Sequence, residues 1–304
     1  MVDTTKLGSD AIAAKGWLSA HRFLILRRFS QLGILALFLS GPLFGIWIVK
    51  GNLASSLTLD ILPLTDPHVL LQAALSGVVP ETAALIGVAI VVAFYFVVGG
   101  RVYCSWVCPV NMVTDLASWL RRRLGLRAST QLSRNARYWM LGLTLVLPLV
   151  AAGGIVWELV NPVSMMFRGI VFGIGAGWLV IAGVFLFDLL VAKDGWCGHL
   201  CPVGAFYNLL GRKSLLRVNA ANRNACNDCM ECFVVCPEPH VIKPALKGGG
   251  KGVSPVILSS DCTNCGRCID ICAKDVFSYG GRHTVERKAP KKPAVEEIHS
   301  SVRA

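Results

Sequence analysis

Eight of the twelve cysteines in this 304-residue chain fall into two runs with the same internal spacing. The runs are CNDCMECFVVCP at 226–237 and CTNCGRCIDICA at 262–273, and each contains C-x2-C-x2-C-x3-C. This spacing places three thiolates on one 4Fe-4S cluster and sends the fourth to a neighbouring cluster. Four-thiolate zinc sites use paired C-x2-C knuckles, so zinc is the weaker interpretation. The sequence therefore predicts one cluster held by Cys226, Cys229, Cys232 and Cys272, and a second held by Cys262, Cys265, Cys268 and Cys236.

The other four cysteines form two C-x3-C-P elements, YCSWVCP at 103–109 and WCGHLCP at 196–202. At a constant offset of 93 residues, Cys104 aligns with Cys197, Cys108 with Cys201, and Pro109 with Pro202. Each proline favours the first turn of a following helix, whose positive end stabilises a thiolate. Three interpretations stay open: a shared four-cysteine site for a third cluster, a redox-active dithiol in each half, or small apolar cysteines that pack against helix ends.

The elements that position these cysteines are unusually apolar. Hydrophobic residues make up 54% of the chain and charged residues 16%, which is too apolar for an ordinary soluble domain. Four segments are predicted to span a membrane, at residues 29–49, 82–99, 138–157 and 169–192. Because a C-x3-C-P element follows every second span, we expect a membrane all-α fold in which four transmembrane helices form two parallel hairpin repeats.

The net charge of +12 is distributed in a way that predicts orientation. Basic residues concentrate before the first span, between the second and third, and after the fourth, whereas the two remaining loops hold one each, Lys50 and Arg168. By the positive-inside rule, both termini and all twelve cysteines are cytoplasmic. In that reducing compartment, metal ligation is favoured over disulfides. Because the charge follows the membrane edges, no nucleic-acid partner is expected.

The predicted domain organisation has four parts. Residues 1–28 are a cytoplasmic segment, residues 29–221 the membrane domain, residues 222–282 a cytoplasmic α+β domain with two clusters, and residues 283–304 a disordered tail. The third part resembles a bacterial two-cluster ferredoxin. Pro237 follows Cys236 as in that family, whereas Ala273 replaces the second proline.

Ionisable residues near the predicted spans are candidates for proton handling. A quinol is the usual electron donor of such a membrane protein, and its oxidation needs a proton acceptor. For Asp188, the alternative to proton handling is a polar contact between helices. For Glu158, Asp66 and His68, the alternative is an ordinary solvated position in a loop. All six histidines lie outside the predicted spans, so no haem is expected within the chain.

The whole chain resembles the NapH family of ferredoxin-type membrane proteins. The resemblance is carried by the two ferredoxin runs and by GGRVYCSWVCPVNMVTD at 99–115, KDGWCGHLCPVGAFY at 193–207, KGNLASS at 50–56 and LPLTDPH at 62–68. It implies a multi-pass quinol dehydrogenase subunit of the bacterial inner membrane, which passes electrons from membrane quinol through 4Fe-4S clusters toward periplasmic nitrate reductase. The implied partners are a periplasmic ferredoxin-type protein and a membrane-anchored multihaem cytochrome. The alternative function is an assembly or maturation factor that reduces a metal or cysteine centre in a client protein.

Overall fold

A computed structural model describes residues 6–126, 129–130, 132–150, 156–173, 175 and 177–283. The predicted tail at 283–304 lies outside the described residues apart from its first residue.

The helices and strands that precede the ferredoxin-like domain follow one another along the chain. They are α1 (Ser9–Lys15), α2 (Trp17–Ala20), α3 (Arg22–Phe44), β1 (Val49–Gly51), β2 (Ser55–Thr58), β3 (Leu62–Thr65), α4 (Pro67–Leu75), α5 (Thr82–Val98), α6 (Val110–Arg123), α7 (Ala136–Val150), α8 (Val156–Val160), α9 (Pro162–Phe172), α10 (Gly177–Leu186) and α11 (Pro202–Leu210). Three π-helical turns occur at Tyr103–Val107, Phe187–Val191 and Trp196–Leu200. Both C-x3-C-P elements therefore begin in a π-helical turn.

The predicted spans need correction. Within the described residues, α3 is the one helix that is both long and apolar enough to cross a bilayer; α5, α7, α9 and the stretch 177–191 are apolar but shorter. The first span ends at Phe44 rather than at residue 49, because Gly45 adopts a left-handed φ of 73°. The fourth span, predicted at 169–192, is interrupted. Helix α9 ends at Phe172, and the next residue, Gly173, has a left-handed φ of 93°.

The prediction of an all-α membrane domain is also wrong, because residues 49–65 form an antiparallel sheet in the order β1-β2-β3. Leu59 and Asp60 have φ angles of 52° and 58°, as a tight turn between β2 and β3 requires. The sheet packs on α5 at Gly87, where an added Cβ would lie 3.0 Å from Thr65 Oγ1. A glycine at this position allows the sheet to approach the helix closely.

The chain contains an internal repeat of helices. Each repeat contains an apolar helix, a short helix, a second apolar helix, a π-helical cysteine turn and a further helix. In the first repeat the helices are α3, α4, α5 and α6, and in the second they are α7, α9, α10 and α11. The short helices begin alike: the Asp66 side chain accepts a hydrogen bond from His68 N at 2.9 Å, and Asn161 Oδ1 accepts one from Val163 N at 3.1 Å. In both repeats an N-cap residue followed by proline therefore fixes the start of the short helix.

The ferredoxin-like domain is built on two antiparallel strands, β4 (Leu216–Asn219) and β5 (Ser278–Gly281). Between them lie α12 (Glu231–Val235), α13 (Ile242–Lys247) and α14 (Arg267–Ile271), with 3-10 turns at Arg223–Ala225, Pro239–Val241 and Gly249–Lys251. A further 3-10 turn, Gly211–Lys213, joins α11 to β4. Strand β4 begins before residue 222, the predicted start of the domain. The core of the ferredoxin-like domain contains Val218, Ile242, Ile257 and Phe277, which are almost fully buried.

Candidate metal centres

Three cavities in the structure are each lined by four cysteines. The cluster-one site is lined by Cys226, Cys229, Cys232 and Cys272. The cluster-two site is lined by Cys236, Cys262, Cys265 and Cys268. The third cavity, which we name the four-thiol chamber, is lined by Cys104, Cys108, Cys197 and Cys201. Each cavity thus brings four thiols together, and all twelve cysteines are free of disulfides.

The same loop conformation supports both sites in the ferredoxin-like domain. Asp228 and Met230 have φ angles of 61° and 62°, and the corresponding residues Asn264 and Gly266 have 47° and 74°. These left-handed residues flank the second cysteine of each run and curl the loop around the cavity. A glycine is needed at 266 for a second reason, because an added Cβ would lie 2.5 Å from the ring of Phe23.

The donor sets fit 4Fe-4S clusters better than single metal ions. Among the described residues, no group of three or more Cys, His, Asp or Glu side chains could hold one ion. A tetrahedral zinc site with Zn–S bonds of about 2.3 Å would draw its four sulfur atoms together around one point. A 4Fe-4S cluster offers each thiolate its own iron and therefore accepts wider spacing. When bound, such a cluster supplies one-electron transfer.

Burial opposes free thiolates in the four-thiol chamber. Burial raises the pKa of Cys201 to about 12 and also raises the pKa of Cys104, although Arg101 opposes the shift at Cys104. A redox-active dithiol requires a lowered pKa, whereas a metal ion stabilises a buried thiolate directly. The chamber therefore favours metal ligation over the dithiol interpretation.

Both repeats contribute to the four-thiol chamber at close range. Pro202 is the first residue of α11, and Cys201 Sγ accepts a hydrogen bond from Gly204 N at 3.4 Å. A Cβ added at Gly204 would lie 3.9 Å from Cys104 Sγ, which belongs to the other repeat. Thr114, from the first repeat, places Oγ1 3.8 Å from Cys197 Sγ. The two C-x3-C-P elements thus meet at one site.

Direct hydrogen bonds join the four-thiol chamber to the cluster-two site. Ser105 Oγ donates to Thr263 O at 2.7 Å, and Trp106 Nε1 donates to Asn264 O at 3.0 Å. Ser105 and Trp106 lie between the two cysteines of the first C-x3-C-P element, whereas Thr263 and Asn264 lie between Cys262 and Cys265. The two cavities are therefore neighbours.

A buried charge network surrounds this junction. Arg101, 2% exposed, donates to Glu238 Oε1 at 2.9 Å, Asp261 O at 2.8 Å and Cys197 O at 3.1 Å. Arg137 pairs with Asp261, which His240 also contacts at 2.9 Å. Burial alone would raise the pKa of Asp261, but the hydrogen bond from His240 and the charge of Arg137 hold it well below its usual range. Sequence reasoning missed both arginines because it used the basic loops only as a sign of membrane orientation.

Asp66 and His68 are buried, so their interpretation as solvated loop residues is wrong. Asp66 is 9% exposed and His68 is fully buried. Asp66 Oδ1 accepts the hydrogen bond from His68 N, and His68 Nε2 lies 3.3 Å from Thr144 Oγ1. Burial raises the pKa of Asp66 to about 7. Neither residue lines the four-thiol chamber.

Asp188 and Glu158 lie on other elements. Asp188 is fully buried, and its Oδ1 accepts a hydrogen bond from Trp196 N at 2.8 Å, which anchors the second cysteine turn. Glu158 accepts a hydrogen bond from Asn161 Nδ2 at 3.2 Å and one from Ser164 Oγ. The structure therefore does not gather the four proton-handling candidates into one site. The sequence signal for the Glu158 group is the Asn-Pro pair at 161–162, which repeats the Asp-Pro pair at 66–67.

Comparisons with known proteins agree with this arrangement. A 4Fe-4S dicluster domain family matches residues 225–276, and a 4Fe-4S binding domain family matches twice, at 81–127 and 174–220. The two matches of the second family each contain one C-x3-C-P element, and they are offset by the same 93 residues as the cysteines. No solved structure matches the chain significantly.

Full-length relatives identify the family. The methylamine utilization ferredoxin-type protein MauN of Methylorubrum extorquens is 55% identical over 88% of this chain and 92% of its own length. The ferredoxin-type protein NapH is 51% identical in both Escherichia coli and Haemophilus influenzae, over 90% of this chain and 95% of theirs. Together with the three four-cysteine cavities, these matches show that the chain belongs to the family of ferredoxin-type 4Fe-4S proteins that includes NapH and MauN.

Proposed function

We propose that this protein is a membrane electron-transfer subunit that oxidises quinol and passes the electrons through 4Fe-4S clusters toward a periplasmic reductase, the nitrate reductase. The observation that carries the proposal is the hydrogen-bonded junction between the four-thiol chamber and the cluster-two site. It gives electrons a continuous route from apolar helices to a ferredoxin-like domain. The further partners are a periplasmic ferredoxin-type protein and a membrane-anchored multihaem cytochrome.

We place the protein in the bacterial inner membrane as a multi-pass protein with four spanning helices, α3, α5, α7 and α10. The distribution of basic residues supports cytoplasmic termini and a cytoplasmic ferredoxin-like domain. The shorter helices α5 and α10 pack against α4 and α9, respectively. The polar residues that cap α4 and α9, Asp66 and Asn161, are acceptable within a membrane because they are buried in protein.

The proposal assigns an order to three clusters. A cluster in the four-thiol chamber, held by Cys104, Cys108, Cys197 and Cys201, exchanges electrons with cluster two, which shares the ferredoxin-like domain with cluster one. Cys229 at the cluster-one site is exposed to solvent. We therefore assign to cluster one the exchange of electrons with a partner protein, which carries them on toward the periplasmic reductase.

The function is tested with the purified, fully loaded protein in detergent under anaerobic conditions. Adding a reduced ubiquinone or menaquinone analogue should bleach the cluster absorption, and a quinol-site inhibitor should prevent the bleaching. Failure of every quinol to reduce the clusters, while dithionite still does so, would contradict quinol oxidation.

The third cluster is tested by counting iron. We expect about twelve iron atoms per chain, and about eight after the double substitution Cys104→Ser and Cys197→Ser. Eight iron atoms in the unmodified protein, unchanged by the substitution, would rule out a cluster in the four-thiol chamber.

A second candidate function is the reduction of a metal or cysteine centre in a client protein during its maturation. The high identity to proteins named for methylamine utilization favours it, because these relatives match 88% and 90% of this chain but are named for a different pathway. Retained reduction by a soluble cytoplasmic donor, with no response to quinol, would favour this function over the first.

A further inference from the structure

Taking quinol oxidation as the function, we propose that the quinol headgroup binds in the part of the four-thiol chamber walled by Trp157 and the N-terminus of α9, and that Glu158 accepts its protons. This inference rests on the proposed function and names its substrate site. Neither the two families nor the named relatives assign such a site to these residues.

The chamber is larger than the two other cysteine cavities. Its cavity volume is about 30 Å³, against about 20 Å³ for each of the others. The extra wall is formed by Trp157, Asn161, Pro162 and Val163, none of which is a candidate ligand. An apolar, aromatic wall with a few polar groups is the usual environment of a flat ring such as a quinol.

Trp157 supplies a hydrogen-bond donor that has no partner among the described residues. Its side chain is only 3% exposed, and its buried Nε1 has no acceptor. Burying an N–H without an acceptor is unfavourable, and such groups are rare in native proteins. A quinol or quinone oxygen is an acceptor of suitable chemistry, and Trp157 already lines the chamber.

Glu158 supplies the proton acceptor beside this wall. It follows Trp157 directly in the chain, and Asn161, which lines the chamber, donates to its carboxylate at 3.2 Å. Ser164 Oγ donates to the second carboxylate oxygen. These hydrogen bonds hold the carboxylate within reach of the headgroup, directly or through one water molecule, as a general base requires.

The tyrosines of the first repeat adjoin this wall. The Tyr103 and Tyr207 rings stack at 4.8 Å, and Tyr95 packs edge-on against both rings. Trp157 belongs to the same buried cluster, and Tyr103 also lines the chamber. The proposed headgroup site is therefore walled by aromatic side chains.

The clusters and Glu158 together account for the electrons and protons that quinol oxidation releases. Oxidation of a quinol to a quinone breaks two O–H bonds and releases two electrons and two protons. The electrons leave one at a time to the iron–sulfur clusters. Each proton passes to the Glu158 carboxylate, which is only partly buried and releases it to solvent between the two steps.

Binding is tested with the fluorescent quinol analogue 2-heptyl-4-hydroxyquinoline N-oxide, whose quenching on titration reports its Kd. Trp157→Phe should weaken binding about tenfold, the effect of one lost hydrogen bond. The matched control is Trp178→Phe, since Trp178 Nε1 is also buried without an acceptor but does not line the chamber. Iron per chain, measured on the same samples, shows whether each variant is folded and loaded. Equal weakening by both substitutions, or by neither, would overturn the site.

The proton acceptor is tested with Glu158→Gln, which keeps the size and hydrogen-bonding capacity of the side chain. We expect analogue binding within twofold of the unmodified protein and a loss of at least one hundredfold in the rate of cluster reduction by quinol, with reduction by dithionite unchanged. Asp66→Asn should leave that rate within threefold. The reverse pattern, a slow Asp66→Asn variant and a normal Glu158→Gln variant, would overturn the assignment. If the unmodified protein neither binds the analogue nor reacts with quinol, the proposed function itself fails.

Discussion

Asp66 and Asn161 cap the short helices of the two repeats, and only Asp66 can ionise. Burial raises its pKa to about 7, opposed by the hydrogen bond from His68 N. His68, Glu158, Tyr207 and Tyr95 are the titratable groups around it. None of these carries positive charge at neutral pH, because burial also lowers the pKa of His68 to about 4.

Asp66→Asn should therefore remove a pH-dependent loss of stability. A carboxyl with a raised folded-state pKa keeps its proton in the folded protein while the unfolded chain ionises above about pH 4, so stability falls as pH rises from about 4 to 7. We expect Asp66→Asn to be more stable than the unmodified protein by on the order of 2 kcal/mol at pH 7, and by less at pH 5. Thermal unfolding in detergent between pH 5 and pH 8 measures this. Parallel curves for both proteins would contradict the raised pKa.

Between elements, the closest approach joins the end of α5 to the end of α11. A Cβ added at Gly100 would lie 1.7 Å from Tyr207 O, and one added at Gly211 would lie 2.5 Å from Gly100 N. The Gly-Gly pair at 99–100 therefore lets the first cysteine turn reach the helix that follows the second. This crossing holds the two repeats together next to the four-thiol chamber.

Gly100→Ala should disrupt this crossing. Because the clash is with backbone atoms, we expect destabilisation of at least about 3 kcal/mol and loss of the iron that the chamber holds. Gly33→Ala in α3 is the matched control: no atom lies within 4 Å of its added Cβ, so it should stabilise the helix by about 0.5–1 kcal/mol. Thermal unfolding temperature and iron content, measured for both variants, test this prediction. A Gly100→Ala protein with full iron content and unchanged stability would contradict the structure.

The predictability of these elements from sequence was uneven. Apolar runs located the helices α3, α5 and α7, but the break between α9 and α10 was missed even though three glycines, at 173, 175 and 177, mark it. The sheet at 49–65 was missed because its strands are only three or four residues long. The position of Trp157 at the chamber is determined by tertiary packing and leaves no periodic signal in the sequence.

At the scale of the whole molecule, buried ion pairs fasten the ferredoxin-like domain to the membrane domain. Asp115 in α6 binds Arg27 and Arg28 in α3 as well as Arg267, which lies between two cysteines of the cluster-two site. Burial would raise the pKa of Asp115, but the charges of Arg267 and Arg27 lower it. Its contribution to stability is therefore complete above about pH 4 and is lost only as the pH falls below that value.

Asp115→Asn should loosen this attachment. Removing the carboxylate leaves three arginines without their shared partner, at a cost of about 3–5 kcal/mol. Hydrogen exchange should accelerate in α14 and at the start of α3. The control is Asp60→Asn, which removes an exposed pair with Lys50 and should change stability by less than about 1 kcal/mol. Unchanged exchange in the Asp115→Asn protein would contradict the attachment.

The contacts between these parts of the chain also show which features of the site the sequence alone does not predict. Thiol spacing is a local property and yielded the three cysteine sets. In sequence, Glu238 lies 137 residues from Arg101, and Arg267 lies 152 residues from Asp115. No spacing rule brings such residues together, so the neighbouring positions of the chamber and the cluster-two site became evident only in the folded chain.

The unequal exposure of the cysteines has a consequence for how the protein withstands air. Cys229 is exposed, whereas the other eleven cysteines are buried or partly buried. Oxygen and chelators would therefore reach the cluster-one site first, and the four-thiol chamber, which both repeats enclose, last. In a cell suddenly exposed to oxygen, the protein would lose cluster one before any cluster bound at the more buried sites. Repair would then require rebuilding one cluster rather than refolding the chain.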